Sequence, residues 1–457
     1  MGNDLTTFRN GVASIFQSAA EEWAHKVAEK DLTAGDRPGV EDHHIATAVA
    51  TAARDMPEAA HGAPPALAMP AAGAAKGLGD KVRMCSDLGL QYLKALARGD
   101  QAGANQIKGK IAFSECDPKW IEALDEHAKY FKLGGGLKDV PYIRAATVGN
   151  KVLAMKPNAR VALVADWGTG TEIAVNLLKG VKQQKPDVVI HLGDVYYSGT
   201  QAECNAFFLQ IVDDVFDRAN TGIPVYTIPG NHDMYAAGSG FYDLIKNLND
   251  GAQRQPASFF CLRATDGSWQ FEALDTGLHD NDPMKVTDVL TFLEKDEEDW
   301  HAARIQEFPG RTILLSHHQL FSAFSQIGPR DSFLNHPYNP YLLASCTRFN
   351  AAAPGRIAAW FWGHEHNLCI YQPTAELKAG RCIGHGAIPV FAANKPYDVP
   401  DGLHNPPQLI DNTQLPINGD CYANGYVMIA FNGATAQVDY FQGAADKPAY
   451  TETLPLA

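Results

Sequence analysis

Five short apolar runs in the later two-thirds of the sequence most constrain its fold. They are rich in β-branched and aromatic residues and have the length of buried strands. The predicted strands are Val161–Ala165, Val188–Leu192, Pro224–Ile228, Thr312–Ser316 and Ile357–Trp362. Helical patterns follow several of them, at Glu172–Val181, Cys204–Arg218, Phe241–Leu248 and Asp288–Gln306. The alternation predicts a layered α/β domain.

Two further pairs of apolar runs read as β-hairpins. One pair is Phe259–Arg263 and Trp269–Leu274 around Asp266-Gly267, and the other is Tyr426–Phe431 and Ala436–Phe441 around Asn432-Gly433. Asp-Gly and Asn-Gly favour tight hairpin turns. We expect these hairpins to add antiparallel strands at the sheet edges.

The sequence pattern of the first 150 residues differs from that of the rest and predicts an N-terminal all-α domain. A second domain is predicted over residues 151–457. Apolar residues recur at helical spacing, and Gly134–Gly136 ends the last helix. The predicted helices are Thr7–Lys30, Val40–Met56, Asp80–Arg98 and Pro118–Lys132, with a loop at Pro57–Gly73. We find no catalytic constellation in this part of the sequence, so its role stays open.

Composition excludes several classes of partner. The net charge of -14 disfavours binding to a nucleic-acid backbone or an anionic membrane, but leaves a small anionic substrate possible. No apolar run reaches the ~20 residues of a membrane span, and the N-terminal sequence does not resemble a signal peptide. The eight cysteines are scattered without a Cys-x-x-Cys pair, which favours reduced thiols and a cytoplasmic location.

Each of the five predicted strands ends in polar residues that can bind metal ions. In α/β sheets ligands bind beyond the carboxyl ends of the strands. In chain order, the polar residues at these ends are Asp166; Asp194 and Tyr197; Asn231, His232 and Asp233; His317 and His318; and His364, Glu365 and His366. Aspartate, asparagine and imidazole suit Fe, Mn and Zn.

The same set fits a hydrolytic site with two cations. Two cations about 3.5–4 Å apart can share a bridging carboxylate, activate a water and clamp a phosphoryl group. Asp194 is the candidate bridge. The phenolate of Tyr197 is a hard anionic donor and points to Fe(III) at one position.

The motifs resemble those of the metallophosphoesterase (calcineurin-like) superfamily, and within it the purple acid phosphatases of the small, mammalian (tartrate-resistant) type. They are Ala-Asp166-Trp-Gly, Gly-Asp194-Val-Tyr-Tyr197, Gly-Asn231-His232-Asp233, Ser-His317 and Gly-His364-Glu-His366-Asn-Leu. The pairing of Asp-x-Gly with Gly-Asp-x-x-Tyr is typical of the purple enzymes. The resemblance covers roughly residues 160–400 and implies a layered β-sandwich flanked by helices.

The resemblance also implies a role for each residue. Fe(III) would be held by Asp166, Asp194, Tyr197 and His366, and Fe(II), Zn or Mn by Asp194, Asn231, His317 and His364. A metal-bound hydroxide would attack phosphorus. His232 would assist the leaving oxygen, and Asp233 would orient the His232 ring through its other nitrogen.

One segment departs from the family pattern. Ser325-Gln326-Ile327-Gly328-Pro329 lacks the second substrate-side histidine of the small form, and His318 or His336 could replace it. The sequence therefore predicts a dinuclear phosphomonoesterase acting on a small phosphorylated substrate. A phosphodiesterase acting on nucleotides and a non-catalytic interaction module on the same scaffold remain alternatives. Monoester or diester preference, the second metal and the oligomeric state stay open.

Overall fold

The computed structural model describes residues 103, 106, 127, 129–131, 140–282, 289–329, 336–443 and 445–456. The predicted helices at Thr7–Lys30, Val40–Met56 and Asp80–Arg98, and the loop at Pro57–Gly73, lie outside the described residues. Within the predicted helix Pro118–Lys132, residues 127, 129 and 130 are helical. Over the part of the chain that is described, no helix is long and apolar enough to cross a membrane.

Two large β-sheets and one small one form the described body. The strands are β1 Leu153–Met155, β2 Arg160–Val164, β3 Val188–His191, β4 Val225–Thr227, β5 Phe260–Ala264, β6 Trp269–Ala273, β7 Arg311–Ser316, β8 Ile357–Trp362, β9 Leu368–Ile370, β10 Gly380–Ile383, β11 Ile417–Asn418, β12 Cys421–Tyr422, β13 Gly425–Asn432, β14 Thr435–Gln442 and β15 Tyr450–Leu454. The seven-stranded sheet has the order β1-β5-β6-β7-β8-β10-β9, and the six-stranded sheet has the order β15-β14-β13-β2-β3-β4. Strands β11 and β12 pair with each other.

The two large sheets share one apolar core, which makes the body a sandwich. This core includes Leu163 and Ile190 of the six-stranded sheet together with Phe271, Ile313 and Phe361 of the seven-stranded sheet. All five side chains are 0% exposed. Helices cover the outer faces, where Leu178 and Val181 pack with Val189 behind the six-stranded sheet. The layered α/β prediction is confirmed.

Parallel pairing brings the predicted site residues to common sheet edges. Strands β2, β3 and β4 are parallel neighbours, and so are β7 and β8. The loops that follow β2, β3 and β4 therefore leave the same edge of one sheet, and those that follow β7 and β8 leave the same edge of the other.

Both predicted hairpins form, but neither is the outermost part of its sheet. Strand β5 pairs with β6 and β13 with β14, each antiparallel. Beyond them lie β1, which is parallel to β5, and β15, which is antiparallel to β14. The prediction that the hairpins lie at the sheet edges was wrong, because the sequence patterns of the short outer strands β1 and β15 are weak.

The helices of the body are mostly short. They are α1 Ala145–Val148, α2 Glu172–Gln183, α3 Gln201–Glu203, a π-helical turn Cys204–Leu209, α4 Gln210–Phe216, α5 Arg218–Thr221, α6 Asn231–Met234, α7 Ser239–Asn247, α8 Lys295–Glu307 and α9 Pro340–Ala352. The short 3₁₀ turns are Gly251–Gln253 and Ala392–Asn394.

Two helix predictions need correction. The helix predicted from Asp288 begins only at Lys295, where three acidic residues in the first turn favour a helix N-terminus. The predicted helix Cys204–Arg218 is divided, since Asp217 adopts a left-handed conformation with φ of 51°. Helix α9 was missed, although Asn339 caps it and Pro340 occupies its first turn.

Residues just before position 150 pack against the sandwich. Ala145 and Val148 lie in an apolar cluster with Phe259 and Trp300. The hydroxyl of Tyr142 donates to Glu297 Oε2 over 2.8 Å. The division into residues 1–150 and 151–457 stays a prediction, but these contacts show that residues from Tyr142 onward pack with the sandwich.

Candidate metal centre

The loops after β2, β3 and β8 bend sharply at the predicted ligands. Asp166, Asp194 and His364 have positive φ angles of 52°, 77° and 66°. Non-glycine residues rarely adopt this conformation, and they do so mainly where the surrounding fold requires it, often at functional sites. The loops approach closely at Gly230, because a Cβ there would lie 2.0 Å from Asp194 Oδ1.

A first group of ligand atoms surrounds Asp166. Its Oδ1 lies 3.2 Å from His366 Nε2 and 3.2 Å from the hydroxyl of Tyr196. The same hydroxyl lies 3.0 Å from His366 Nε2. We call Asp166, Tyr196 and His366 the phenol cluster. The Asp166 and His366 ligand atoms and one of Asp194 lie within 4.8 Å of one another.

A second group surrounds Asn231. Its Oδ1 lies 3.1 Å from His317 Nε2 and 3.1 Å from His364 Nδ1. The two imidazole nitrogens are 3.2 Å apart. All three residues are almost completely buried. We call them the imidazole cluster.

Asp194 lies beside both clusters. Its Oδ2 is 3.5 Å from His317 Nε2, and its carboxylate belongs to the same ligand group as Asp166 and His366. The backbone N–H of His232 donates to Oδ1 over 3.0 Å, which fixes the carboxylate. Burial, followed by the neighbouring charges of Asp166 and Asp233, raises the pKa of Asp194 well above its usual range. A position between two ligand groups suits a bridging carboxylate.

The hydrogen bonds of the imidazole cluster test whether it fits a cation. His317 Nδ1 contacts the carbonyl oxygen of Leu192 at 2.8 Å, so this nitrogen carries the proton and Nε2 keeps its lone pair. The amide nitrogen of Asn231 donates to the Tyr235 hydroxyl, which leaves Oδ1 as an acceptor. Burial lowers the pKa of His317 to about 3 and that of His364 well below its usual range. Acceptor atoms of neutral side chains thus converge, and a cation satisfies them.

The structure places a different tyrosine beside Asp166 from the one predicted as a ligand. The phenol in contact with Asp166 and His366 belongs to Tyr196, not to Tyr197. Tyr197 donates its backbone N–H to Glu203 Oε1, and its carbonyl oxygen contacts His232 Nδ1 at 2.6 Å. Motif spacing selects Tyr197, whereas the path of the backbone decides which of the two adjacent tyrosines reaches Asp166.

The predicted partner of His232 also changes. Its ring is held by the Tyr197 carbonyl oxygen, while Asp233 Oδ2 accepts from the backbone N–H groups of Gly230 and Asp194. Asp233 therefore ties the loop after β4 to the loop after β3. His232 Nε2 lies 4.0 Å from Asp194 Oδ2, at the edge of the centre.

His318 lies against the imidazole cluster, and its nitrogens have other partners. Its ring centroid is 4.5 Å from that of His364, and one of its nitrogens lies within 4.8 Å of the His317 and His364 ligand atoms. Its Nε2 is 3.1 Å from Asp280 Oδ2, and its Nδ1 is 3.1 Å from the Thr276 hydroxyl. We therefore place His318 outside the ligand set.

Two further predicted residues, Glu365 and His336, have partners outside the phenol and imidazole clusters. Glu365 lies between the two histidine ligands of its motif, is buried and accepts a hydrogen bond from Ser322. His336 is exposed, and its carbonyl oxygen accepts from the backbone N–H of Ile327. Sequence reasoning missed Tyr196, Tyr235 and Asp280. Tyr196 could have been found as the neighbour of Tyr197 within the same motif.

Comparisons with known proteins bear on the same region. Residues 159–368 match the family model described as calcineurin-like phosphoesterase. The chain contains a calcineurin-like phosphoesterase domain. All the residues of the phenol and imidazole clusters, and Asp194, lie within the matched range of this phosphoesterase domain.

Individual relatives are more distant. Tartrate-resistant acid phosphatase type 5 of Mus musculus is 34% identical over 92 residues, which is 18% of this chain and 28% of that protein. The match thus spans little more than a quarter of that relative. GAP50, the anchor in the inner membrane complex of Plasmodium, has a TM-score of 0.43 at 14% identity over 66% of this chain and 90% of its own. A conserved uncharacterized protein of Streptococcus pneumoniae TIGR4 has a TM-score of 0.28 at 10% identity, over 65% and 98%.

The matched family suggests a phosphoric ester hydrolase, and it implies two metal ions. Two groups of side chains could hold them: Asp166, Asp194 and His366 in the first, and His317, His364 and the neighbouring His318 in the second.

Proposed function

We propose that this protein is a dinuclear metal-dependent phosphomonoesterase of the purple acid phosphatase kind. Fe(III) would bind at the phenol cluster, and Fe(II), Zn or Mn at the imidazole cluster, with Asp194 shared. The observation that carries the proposal is the buried Tyr196 hydroxyl within 3.2 Å of both Asp166 and His366. A hard phenolate beside a carboxylate and an imidazole suits a trivalent ion.

The protein residues orient the substrate and its protons around this centre. When bound, the two ions supply Lewis acidity toward the attacking water and the phosphoryl oxygens. The Nδ1–H of His232 bonds to the Tyr197 carbonyl oxygen, which directs Nε2 toward Asp194. A phosphate dianion beside Nε2 favours the imidazolium form, which then donates to a phosphoryl or leaving oxygen.

The two adjacent tyrosines give a matched test. Iron-loaded wild-type protein should show a visible phenolate-to-Fe(III) charge-transfer band. Tyr196→Phe should abolish the band, whereas Tyr197→Phe should keep it. Metal content and circular dichroism serve as controls for both variants. A colourless iron-loaded wild type would reject Fe(III)–phenolate binding, and loss of the band in Tyr197→Phe alone would restore the assignment made from the motif.

Turnover tests the reaction type. The wild type should hydrolyse p-nitrophenyl phosphate faster than bis(p-nitrophenyl) phosphate, and chelation of the metals should stop both reactions. His232→Ala should lower turnover by about 10²–10⁴ while keeping both metals. Preference for the diester would instead support a phosphodiesterase. A metal-loaded protein inactive on both esters would support a non-catalytic module.

A further inference from the structure

A small cavity adjoins the imidazole cluster. Its volume is about 10 Å³, and His364 forms part of its wall. Asp280, Thr291, His318 and Gln319 also line it. This is room for about one water molecule or one hydroxyl group. Since His364 borders both the cavity and the proposed metal position, a group bound in the cavity would be one side chain away from that position.

The hydrogen bonds around His318 engage both of its ring nitrogens. The backbone N–H of His318 donates to the Thr276 hydroxyl over 3.0 Å, so that hydroxyl can give its own proton to His318 Nδ1. His318 Nε2 then carries the ring proton and donates it to Asp280 Oδ2 over 3.1 Å. Both nitrogens of His318 are engaged, which leaves Asp280 Oδ1 as the group that can act toward the cavity.

Two residues that line this cavity each have a buried polar atom without a hydrogen-bond partner. The atoms are Asp280 Oδ1 and Gln319 Oε1, in residues only 2% and 3% exposed. Buried polar atoms are nearly always hydrogen-bonded, and an unpaired one costs about 1–3 kcal/mol. Two such atoms at one cavity therefore indicate a polar ligand.

We propose that this cavity receives a hydroxyl group from the organic part of the substrate, so that the preferred substrates are phosphate monoesters of polyols with a hydroxyl vicinal to the ester. The inference rests on the phosphomonoesterase function proposed above. The hydroxyl oxygen accepts from a protonated Asp280 Oδ1 and donates to Gln319 Oε1, which pairs both atoms. A vicinal hydroxyl is the nearest to the phosphate, as the shared wall at His364 requires.

The surroundings of Asp280 agree with a protonated carboxyl group. Burial, followed by the charge of Asp282, raises the pKa of Asp280 well above its usual range. A neutral carboxyl group can donate to a hydroxyl, whereas a carboxylate would instead prefer an ammonium group.

The experiment compares ethyl, 2-hydroxyethyl and 2-aminoethyl phosphate as substrates of the metal-loaded full-length protein. We expect kcat/KM for the hydroxyethyl ester to exceed that for the ethyl ester by about tenfold or more, since sites built for a hydroxyl discriminate against analogues that lack it. Gln319→Met should bring the ratio close to one. Asp280→Asn should keep much of the preference for the hydroxyethyl ester, because an amide still accepts from His318 and donates to the bound hydroxyl. Asp280→Ala should lose this preference.

The exposed Gln437 gives a matched control, and Gln437→Met should keep the wild-type ratio. Metal content and p-nitrophenyl phosphate turnover are measured for every variant. Equal kcat/KM for the ethyl and hydroxyethyl esters would reject this inference while leaving the phosphatase function intact, and the cavity would then hold a resident water. Preference for the aminoethyl ester would also overturn it, since Asp280 would then be ionised. A wild type inactive on every ester would instead refute the proposed function.

Discussion

Breaking the buried ion pair between Arg381 and Glu452 from one side should destabilise the sandwich. Arg381 lies on β10 of the seven-stranded sheet and Glu452 on β15 of the six-stranded sheet, so the pair joins the two layers. The guanidinium is 0% exposed and bonds to both carboxylate oxygens over 2.7 and 2.6 Å. Its Nη1 also donates to the carbonyl oxygens of Tyr371 and Gly380.

Glu452→Gln keeps the shape of this side chain but removes its charge. The guanidinium then stays buried without a counter-ion, which costs about 3–5 kcal/mol. For a unit of this size that corresponds to a fall of about 5–10 °C in Tm. Thermal unfolding followed by circular dichroism measures it, together with the shift of the urea midpoint.

Two further variants make the reasoning refutable. The double variant Arg381→Met with Glu452→Met removes both charges and should be more stable than Glu452→Gln, because replacing a buried pair is often close to neutral. Asp250→Asn removes a partner of the exposed Arg254 and should cost less than about 1 kcal/mol. An unchanged Tm in Glu452→Gln, or a double variant less stable than the single one, would refute the argument.

Three other predictions concern the rest of the body. Burial lowers the pKa of His301, but its bonds to Glu272 and Glu297 outweigh this and raise it to about 9 from 6.5. The stabilisation of the fold by protonated His301, about 3 kcal/mol at most, should be complete below pH 6.5 and lost as pH rises through 9. The difference in urea midpoint between the wild type and His301→Gln should therefore narrow over that pH interval. A difference that stays constant with pH would refute this prediction. Gly230→Ala should abolish metal binding, since the new Cβ would lie 2.0 Å from Asp194 Oδ1. The control Gly433→Ala has no atom within 4 Å of its Cβ and should bind metals normally, although it should lower the free energy of unfolding by about 1 kcal/mol or more. Plasma emission spectroscopy measures the metal content of both variants. A shortened protein that starts at Gly136 should keep both metals and hydrolyse p-nitrophenyl phosphate. A protein that starts at Asn150 loses the Tyr142–Glu297 contact and should melt at a lower temperature. If the protein that starts at Gly136 is folded and metal-loaded but inactive, the N-terminal region contributes to the site.

The sequence by itself determined the layered fold and, apart from the tyrosine, the residues of the candidate metal centre. Apolar strand-length runs alternating with helical patterns require a layered α/β arrangement, and chemically matched residues follow each of those runs. Because the carboxyl ends of parallel strands meet at one edge, the strand pattern alone predicts Asp166, Asp194 and Asn231 as neighbours. The histidines 317, 364 and 366 follow from the same argument applied to β7 and β8.

Only the tertiary structure decided which neighbouring groups act together. Tyr196 and Tyr197 are adjacent, and the course of one loop, held at Glu203 and His232, decides that the hydroxyl of Tyr196 meets Asp166. Asp280 lies six residues beyond the predicted strand Trp269–Leu274 and belongs to no motif, yet folding brings it to His318 and the cavity beside His364. Sequence patterns report the local periodicity of the chain and the chemistry of its residues. Contacts between loops depend on backbone paths that only the packed sandwich fixes.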